Sequence, residues 1–358
     1  MMKKNIIQFT LIFFVSISAS NAHAFDIIKF FSDLFSSAPI AGSRAPQGAE
    51  QEEKEGEQKD KEKLDKNGKP IVKEVTVSKL LNDENRCFSH YPLGPPRFQD
   101  KDRKSELLYI CKKGFAMGYN AEYKNPIWVA EHLENKNLKN KKDIAQYTFS
   151  YDPELPTKMQ ISLDTYKNSG FDRGQLFAPE NMISDDEKRQ QGYVITNTAP
   201  QVGINFNRGI WADLEMWTRL QAKLRGDLYV VTGTLYLGKK EKLPDGTVIP
   251  SHFYKVIVDP KMSEAISFII PNRQVLTENA KVTAGNPKYP QTTPQQVYTC
   301  KDSGKSFCNI FDFSTSMKEV ERLSGLTFIS GVSENHVLKI KVSDDFVKSK
   351  RYTKTADF

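Results

Sequence analysis

Three short blocks between residues 171 and 215 constrain this chain more than anything else in its 358 residues. The first is Phe171-Asp172-Arg173-Gly174-Gln175-Leu176-Phe177-Ala178-Pro179, where charged and amide side chains sit inside an apolar frame. The second is Asn197-Thr198-Ala199-Pro200-Gln201, and the third is Asn207-Arg208-Gly209-Ile210-Trp211-Ala212-Asp213-Leu214-Glu215. Gly174 lets another chain segment approach the backbone closely. Arg173 carries a planar fork of donors suited to phosphate. The third block opens an expected helix over residues 207–225, so Glu215 lies eight residues, or two turns, beyond Asn207 on one face. Read alone, Asn207 is a helix N-cap and Glu215 an exposed helix charge.

Residues 1–24 read as a secretory signal peptide. Lys3 and Lys4 precede a mostly apolar run from Ile6 to Val15, and Ala22-His23-Ala24 supplies the small-x-small cleavage pattern before Phe25. The run is well short of the ~20 residues a membrane-crossing helix needs. No stable membrane span is therefore expected, and the chain reads as exported, to the periplasm or the medium. Four cysteines follow, Cys87, Cys111, Cys300 and Cys308. An even count in an oxidising compartment favours disulfides, and locality favours Cys87–Cys111 and Cys300–Cys308. No Cys-x-x-Cys occurs, which argues against a zinc site built from them. The formal charge of +7 falls to +5 without Lys3 and Lys4, from 49 basic against 44 acidic residues. That excess permits a polyanionic ligand without identifying one.

Residues 25–36 place Phe25, Ile28, Phe31 and Phe35 at helical spacing. This amphipathic segment is too short to be stable by itself, and it suits docking on the main domain or lying on a membrane or partner. Residues 37–74 form a charged linker, dominated from Glu50 to Lys69 by Glu, Lys, Gln and Asp, and are expected to be disordered. Residues 75–358 make one domain. Strands are expected over 114–120, 127–133, 193–196, 228–237, 252–258 and 265–270, all rich in aromatic and β-branched residues. Helices are expected over 207–225 and 316–324, the second opened by a Ser316–Glu319 capping box. Grouped strands with few alternating helices predict an α+β class with an antiparallel sheet.

Taken in order, the three blocks resemble the catalytic core of the DNA/RNA non-specific endonucleases, the ββα-metal nucleases that include secreted bacterial enzymes and mitochondrial endonuclease G. Residues 111–119 and 126–130 resemble that family's first two strands, and 229–236 the strand after its metal helix. Residues 249–256 and 268–272 match the next pair, and 320–328 the closing helix and strand. The resemblance implies a central antiparallel sheet with flanking helices and metal-dependent hydrolysis of DNA and RNA. Its expected cofactor is Mg²⁺, with Mn²⁺ as a substitute. Asn207 matches the family's metal ligand, Glu215 the residue that holds metal-bound waters, and Arg173 the phosphate-facing arginine. Asp172 is expected to orient neighbouring donors. Asn197 and Gln201 match polar positions beside the substrate, with a loop-closing hydrogen bond as their other reading. Trp211 is expected in the core. Whether the chain works alone or as a homodimer stays open.

The first block departs from the family at one position. Where the family has Asp-Arg-Gly-His, with His as general base, this chain has Gln175. A carboxamide takes no proton at neutral pH but still orients a water through its oxygen. Three readings follow. Gln175 positions a water in a slower nuclease; or His90, His132 or His252 supplies the base; or the domain is a catalytically weak or inactive pseudo-nuclease that binds nucleic acid. Gly304-Lys305-Ser306 is no P-loop, because Thr299 stands where its first glycine belongs.

Overall fold

The aromatic and β-branched runs of the sequence pair into one antiparallel sheet. The computed structural model describes residues 84–140 and 147–330, so the expected signal peptide (1–24), amphipathic segment (25–36) and linker (37–74) lie outside the described residues. In chain order the strands are β1 (Leu108–Cys111), β2 (Ala116–Asn120), β3 (Asn125–Leu133), β4 (Phe171–Gln175), β5 (Thr198–Val202), β6 (Leu228–Leu235), β7 (His252–Asp259), β8 (Glu264–Pro271) and β9 (Ser314–Thr315). Seven of them form the sheet, in the order β9-β8-β7-β6-β3-β2-β1, while β4 and β5 pair only with each other as a separate hairpin. The helices are α1 (Asp186–Gln191), α2 (Ala212–Arg225) and α3 (Met317–Ser324). This is the expected α+β class.

Side chains alternate across a strand, so each strand feeds two cores. Val129, Leu133, Val230, Phe253, Ile257 and Phe268 face α2 and the hairpin, where they meet Phe206, Trp211, Leu214 and Trp217. Trp217 stands edge-on to Phe268 and to Phe311, with ring centroids 5.6 Å apart in each pair. The opposite face carries Trp128, Tyr229, Tyr254 and Val256 against Met317 and Val320 of α3. Both expected disulfides are formed, with Cα–Cα distances of 5.5 Å for Cys87–Cys111 and 5.3 Å for Cys300–Cys308. No helix among the described residues is long and apolar enough to cross a membrane.

Two expected elements differ. The helix foreseen over 207–225 begins only at Ala212; residues Gly203–Trp211 form a wide turn with non-helical backbone at Ile204, Asn205, Arg208 and Gly209. Asn205 has a left-handed φ of 62°, a conformation asparagine tolerates better than most residues. Its side chain locks the turn, donating to Gln274 Oε1 and to the Lys281 carbonyl at 3.0 Å each and accepting from the Lys281 amide at 3.1 Å. The two-turn spacing of Asn207 and Glu215 on one helix face is therefore interrupted. Residues 193–196 are not a strand. Ile195–Asn197 is a 3₁₀ turn, and Val194 makes only an isolated bridge to Ser150. Of the expected capping box, Ser316 accepts from the Glu319 amide, while the Glu319 carboxylate grips Arg322 instead.

Candidate active site

The β4–β5 hairpin and the wide turn before α2 converge on one group, the Asp172 carboxylate. Asp172 lies opposite Gln201 in the hairpin. It accepts from Asn207 Nδ2 at 2.9 Å, and Arg208 Nη1 reaches its two oxygens at 2.6 and 2.5 Å. Such charge-assisted bonds orient their donors strongly. With its nitrogen committed to Asp172, Asn207 presents Oδ1 as its free acceptor. The role expected of Asp172, to orient neighbouring donors, thus has a partner in the structure.

Two glycines make the convergence sterically feasible. A Cβ on Gly174 would lie 2.3 Å from Gln201 Cδ, and one on Gly203 would lie 2.7 Å from Asp172 Oδ1 and 2.8 Å from Arg208 Nη2. Gln201 is fully buried across Gly174, and neither end of its amide has a hydrogen-bond partner among the described residues. A buried amide left unpaired costs about 1–3 kcal/mol, so it marks a place where a water or another ligand belongs. The free oxygen of Asn207 fits a hard, hydrated divalent cation, which takes few protein oxygens and keeps most of its waters.

Gln175 lies at the other end of β4. Its Nε2 donates to the Gly192 carbonyl at 2.8 Å, which leaves Oε1 as the free acceptor. Asn197 donates to the same carbonyl at 2.9 Å and clasps the Phe177 backbone on both sides, accepting from its amide at 2.9 Å and donating to its carbonyl at 3.0 Å. Asn197 is fully buried, so it closes the loop that seats Gln175. Gln175 and Asn207 share no direct hydrogen bond; β4 connects them. Arg173 donates to the Leu163 carbonyl at 2.7 Å, with its guanidinium 5.4 Å from the Phe149 ring and 5.7 Å from that of Tyr166.

Glu215 enters from α2 above a buried charge network on the facing side of the sheet. Arg219 lies one turn further along the helix and donates to Asn181 Oδ1 at 3.3 Å, and Asn181 donates to Glu131 Oε1 at 2.8 Å. Lys255, also buried, donates to Thr232 at 2.6 Å and lies 5.3 Å from the Trp211 ring. Burial pushes the Glu131 carboxyl up to about 7, against the pull of Lys255. Burial also raises Glu215 and lowers Lys255, with each partly restoring the charge of the other. Trp211 is buried in the core, as expected.

The three candidate histidines lie elsewhere. His132 and His252 alternate with Glu131 and Phe253 along β3 and β7, so they project to the face opposite Glu215. His90 Nε2 lies 2.9 Å from the Lys112 carbonyl. Burial lowers His90 and His252 to about 4.

Sequence reasoning missed Arg208, Glu131, Lys255 and the stapling amides Asn205 and Gln274. A signal existed for Arg208, which directly follows Asn207 in the third block. Glu131 and Lys255 sit at alternate strand positions, where a charge ordinarily reads as solvent-facing.

Comparison with known proteins bears on the family and the fold. Residues 96–335 match the sequence pattern of the DNA/RNA non-specific endonucleases. Nuclease C1 of Cunninghamella echinulata var. echinulata is 29% identical over 235 residues, which is 62% of this chain and 82% of that protein. Mitochondrial endonuclease G of Caenorhabditis elegans is 36% identical over 174 residues, covering 44% of this chain and 56% of that one. Mitochondrial nuclease 1 of Schizosaccharomyces pombe is 30% identical over 181 residues, covering 45% and 56%. The chain thus spans little more than half of these two mitochondrial relatives. A chain in a crystal structure titled as the EndoG/EndoGI complex shares the fold, with a TM-score of 0.53 at 24% identity over 64% of this chain and 88% of that one. The mitochondrial relatives overturn the expectation of an exported, periplasmic or extracellular protein. Two lysines before an apolar run could not carry that assignment, because more than one kind of targeting segment is basic and apolar.

Proposed function

Because the chain belongs to the DNA/RNA non-specific endonuclease family, we propose that it hydrolyses phosphodiester bonds in DNA and RNA with a divalent cation, Mg²⁺ or Mn²⁺, held at Asn207. The observation that carries this reading is the Asp172–Asn207 hydrogen bond, which turns the amide oxygen of Asn207 outward as a ligand. Bound there, the cation would offset charge on the phosphoryl and leaving oxygens. Every other part of the site belongs to the chain itself. Asp172 holds Asn207 and Arg208 in register. Arg208, with 59% of its side chain exposed, sets a guanidinium where a phosphate can reach it. Gln201 lies opposite Asp172 in the hairpin, Arg173 projects to the hairpin's other face, and Asn197 keeps the Gln175 loop closed. Burial raises the Glu215 carboxyl, while the nearby Lys255 and Arg219 pull it back toward the carboxylate, the form that accepts hydrogen bonds from waters.

Gln175 orients the attacking water through Oε1 but takes no proton from it, so that proton leaves to solvent or to the substrate phosphate. A positioned general base is worth ~10²–10⁴ in rate, and a nuclease lacking one is correspondingly slow. His132 and His252 do not replace it, since they project to the other face of the sheet.

The test is cleavage of plasmid DNA and single-stranded RNA by the purified chain in Mg²⁺ or Mn²⁺, beside Asn207→Ala. Metal-requiring cleavage by the wild type, abolished in Asn207→Ala, is expected. A wild type that binds duplex DNA in a salt-sensitive way yet never cuts would establish a binding-only domain instead.

A further inference from the structure

The geometry points to a second metal site, built from His132, Glu134 and Asp227 on the side of the sheet away from the hairpin, with Zn²⁺ as its ion. One donor atom from each residue lies within 4.8 Å of the other two, and His132 Nε2 stands 3.8 Å from Asp227 Oδ2. That gap is too long for a hydrogen bond. It is close to what a shared ion requires, since Zn–N and Zn–O bonds of ~2.0–2.2 Å at a tetrahedral angle set donors ~3.4 Å apart. The pair need close by only about 0.4 Å, and the widest pair by at most about 1.4 Å.

Each donor is already held in place by other groups. The His132 ring stacks on Tyr229, with centroids 4.6 Å apart and planes 23° from parallel. Neither ring nitrogen has a hydrogen-bond partner among the described residues, although the ring remains partly open to solvent. Asp227 Oδ1 accepts from the Asn135 amide at 3.0 Å, which aims Oδ2 at the histidine. Glu134 Oε2 accepts from Asn137 Nδ2 at 3.2 Å. A cation already neutralises Glu134, for Lys136 Nζ lies 2.6 Å from Oε1; with 73% of its side chain exposed, this lysine can swing into solvent. One imidazole and two carboxylates, with a fourth position left for water, suit Zn²⁺ better than Mg²⁺, which favours six oxygens.

The site would tie the end of β3 to the start of β6, just beyond the carboxyl end of α2. Asn135 already bridges that junction, donating from Nδ2 to the Lys223 carbonyl at 3.2 Å. Zinc there would clamp the helix that carries Glu215 without touching the Asp172–Asn207 pair, and the inference holds whether or not the protein cuts nucleic acid.

The test is calorimetric titration of ZnCl₂ into the full chain with saturating Mg²⁺, for the wild type, Asn207→Ala, His132→Ala and Asp227→Asn. One zinc per chain is expected in the wild type and in Asn207→Ala. Binding should weaken by ~10²-fold or more in His132→Ala and Asp227→Asn, as loss of one of three ligands demands. Zinc should also raise the thermal midpoint of the wild type by several degrees, and of neither ligand variant. Asp227→Asn keeps an oxygen for the Asn135 amide, so it decides the matter should His132→Ala fail to fold. No zinc bound to the wild type, or equal binding in Asp227→Asn, would overturn the assignment. So would zinc lost only in Asn207→Ala.

Discussion

Removing the carboxylate of Asp172 should weaken metal binding at Asn207 without unfolding the protein. In Asp172→Ala, Asn207 Nδ2 loses a 2.9 Å bond to a charged acceptor. Such bonds contribute about 1.5–3 kcal/mol. The ion pair to Arg208 is also lost, but 59% of the arginine side chain is exposed, which limits that contribution to at most ~1 kcal/mol. The Asn207 bond is therefore the larger loss. Because it fixes which amide atom faces the cation, its loss should raise the half-saturating Mg²⁺ concentration ~10–100-fold. The freed arginine would add repulsion in the same direction. Asp172→Asn retains a neutral acceptor and should fall between the two, whereas Arg208→Ala should move the metal dependence less than ~5-fold. The measurement is initial cleavage rate against Mg²⁺ concentration, with circular dichroism to verify the fold. Equal half-saturation in wild type and Asp172→Ala, or a larger effect from Arg208→Ala, would refute the orienting role.

Three further outcomes are expected. Gln175→His should raise the cleavage rate ~10²-fold or more by restoring a general base; an unchanged or slower rate would show that the carboxamide is integral to the site. Glu131→Gln should change the pH dependence of stability. The folded carboxyl titrates at about 7 against an ordinary 4.5, so its contribution is full below 4.5 and lost as pH rises through 7. Those 2.5 units correspond to ~3 kcal/mol, so the variant should gain up to that much on the wild type between pH 4.5 and 8 in urea titrations. A difference independent of pH would sink the idea. Gly174→Ala should destabilise by ~1–3 kcal/mol and abolish cleavage, because its methyl group would overlap Gln201, which is buried and has nowhere to move. A melting temperature equal to that of the wild type would contradict this.

The sheet was legible because its strands carry dense runs of aromatic and β-branched residues, and five of the six expected strands formed. The sixth, over 193–196, has the same composition, but Ser150 brings only one residue within bridging reach. The beginning of α2 was misplaced because apolar spacing through Phe206, Ile210 and Trp211 continues across a turn that is not helical. What interrupts it is tertiary, since Gln274 and Lys281, some seventy residues away, hold Asn205 in its left-handed conformation. The site was half legible. Asp172, Asn207 and Gln201 were named from local pattern, and the structure brings them together at one end of the hairpin. Glu131 and Lys255 escaped notice because a charge buried by a helix laid over a strand looks, in sequence, like any alternating polar residue. His132 was weighed singly, whereas its neighbour Asp227 directly precedes a strand that becomes adjacent only on folding.

That adjacency bears on when the protein becomes competent. Leu133 and Leu228 are direct neighbours in the sheet, so residues 134–227, 94 in all, leave and return between two paired strands. Closing a loop of that length costs ~4 kcal/mol in chain entropy before any contact repays it. Asp172, Gln175, Asn207 and Glu215 all lie on this excursion. The stapling amides Asn272 and Gln274 arrive later still along the chain, Asn272 accepting from the Val202 amide at 2.9 Å and Gln274 from Asn205 at 3.0 Å. A nascent or truncated chain ending before β8 would thus carry every reactive group but lack Asn272 and Gln274, which fix the hairpin end and the wide turn. If the chain cuts nucleic acid as proposed, such an order of assembly would keep incomplete copies harmless.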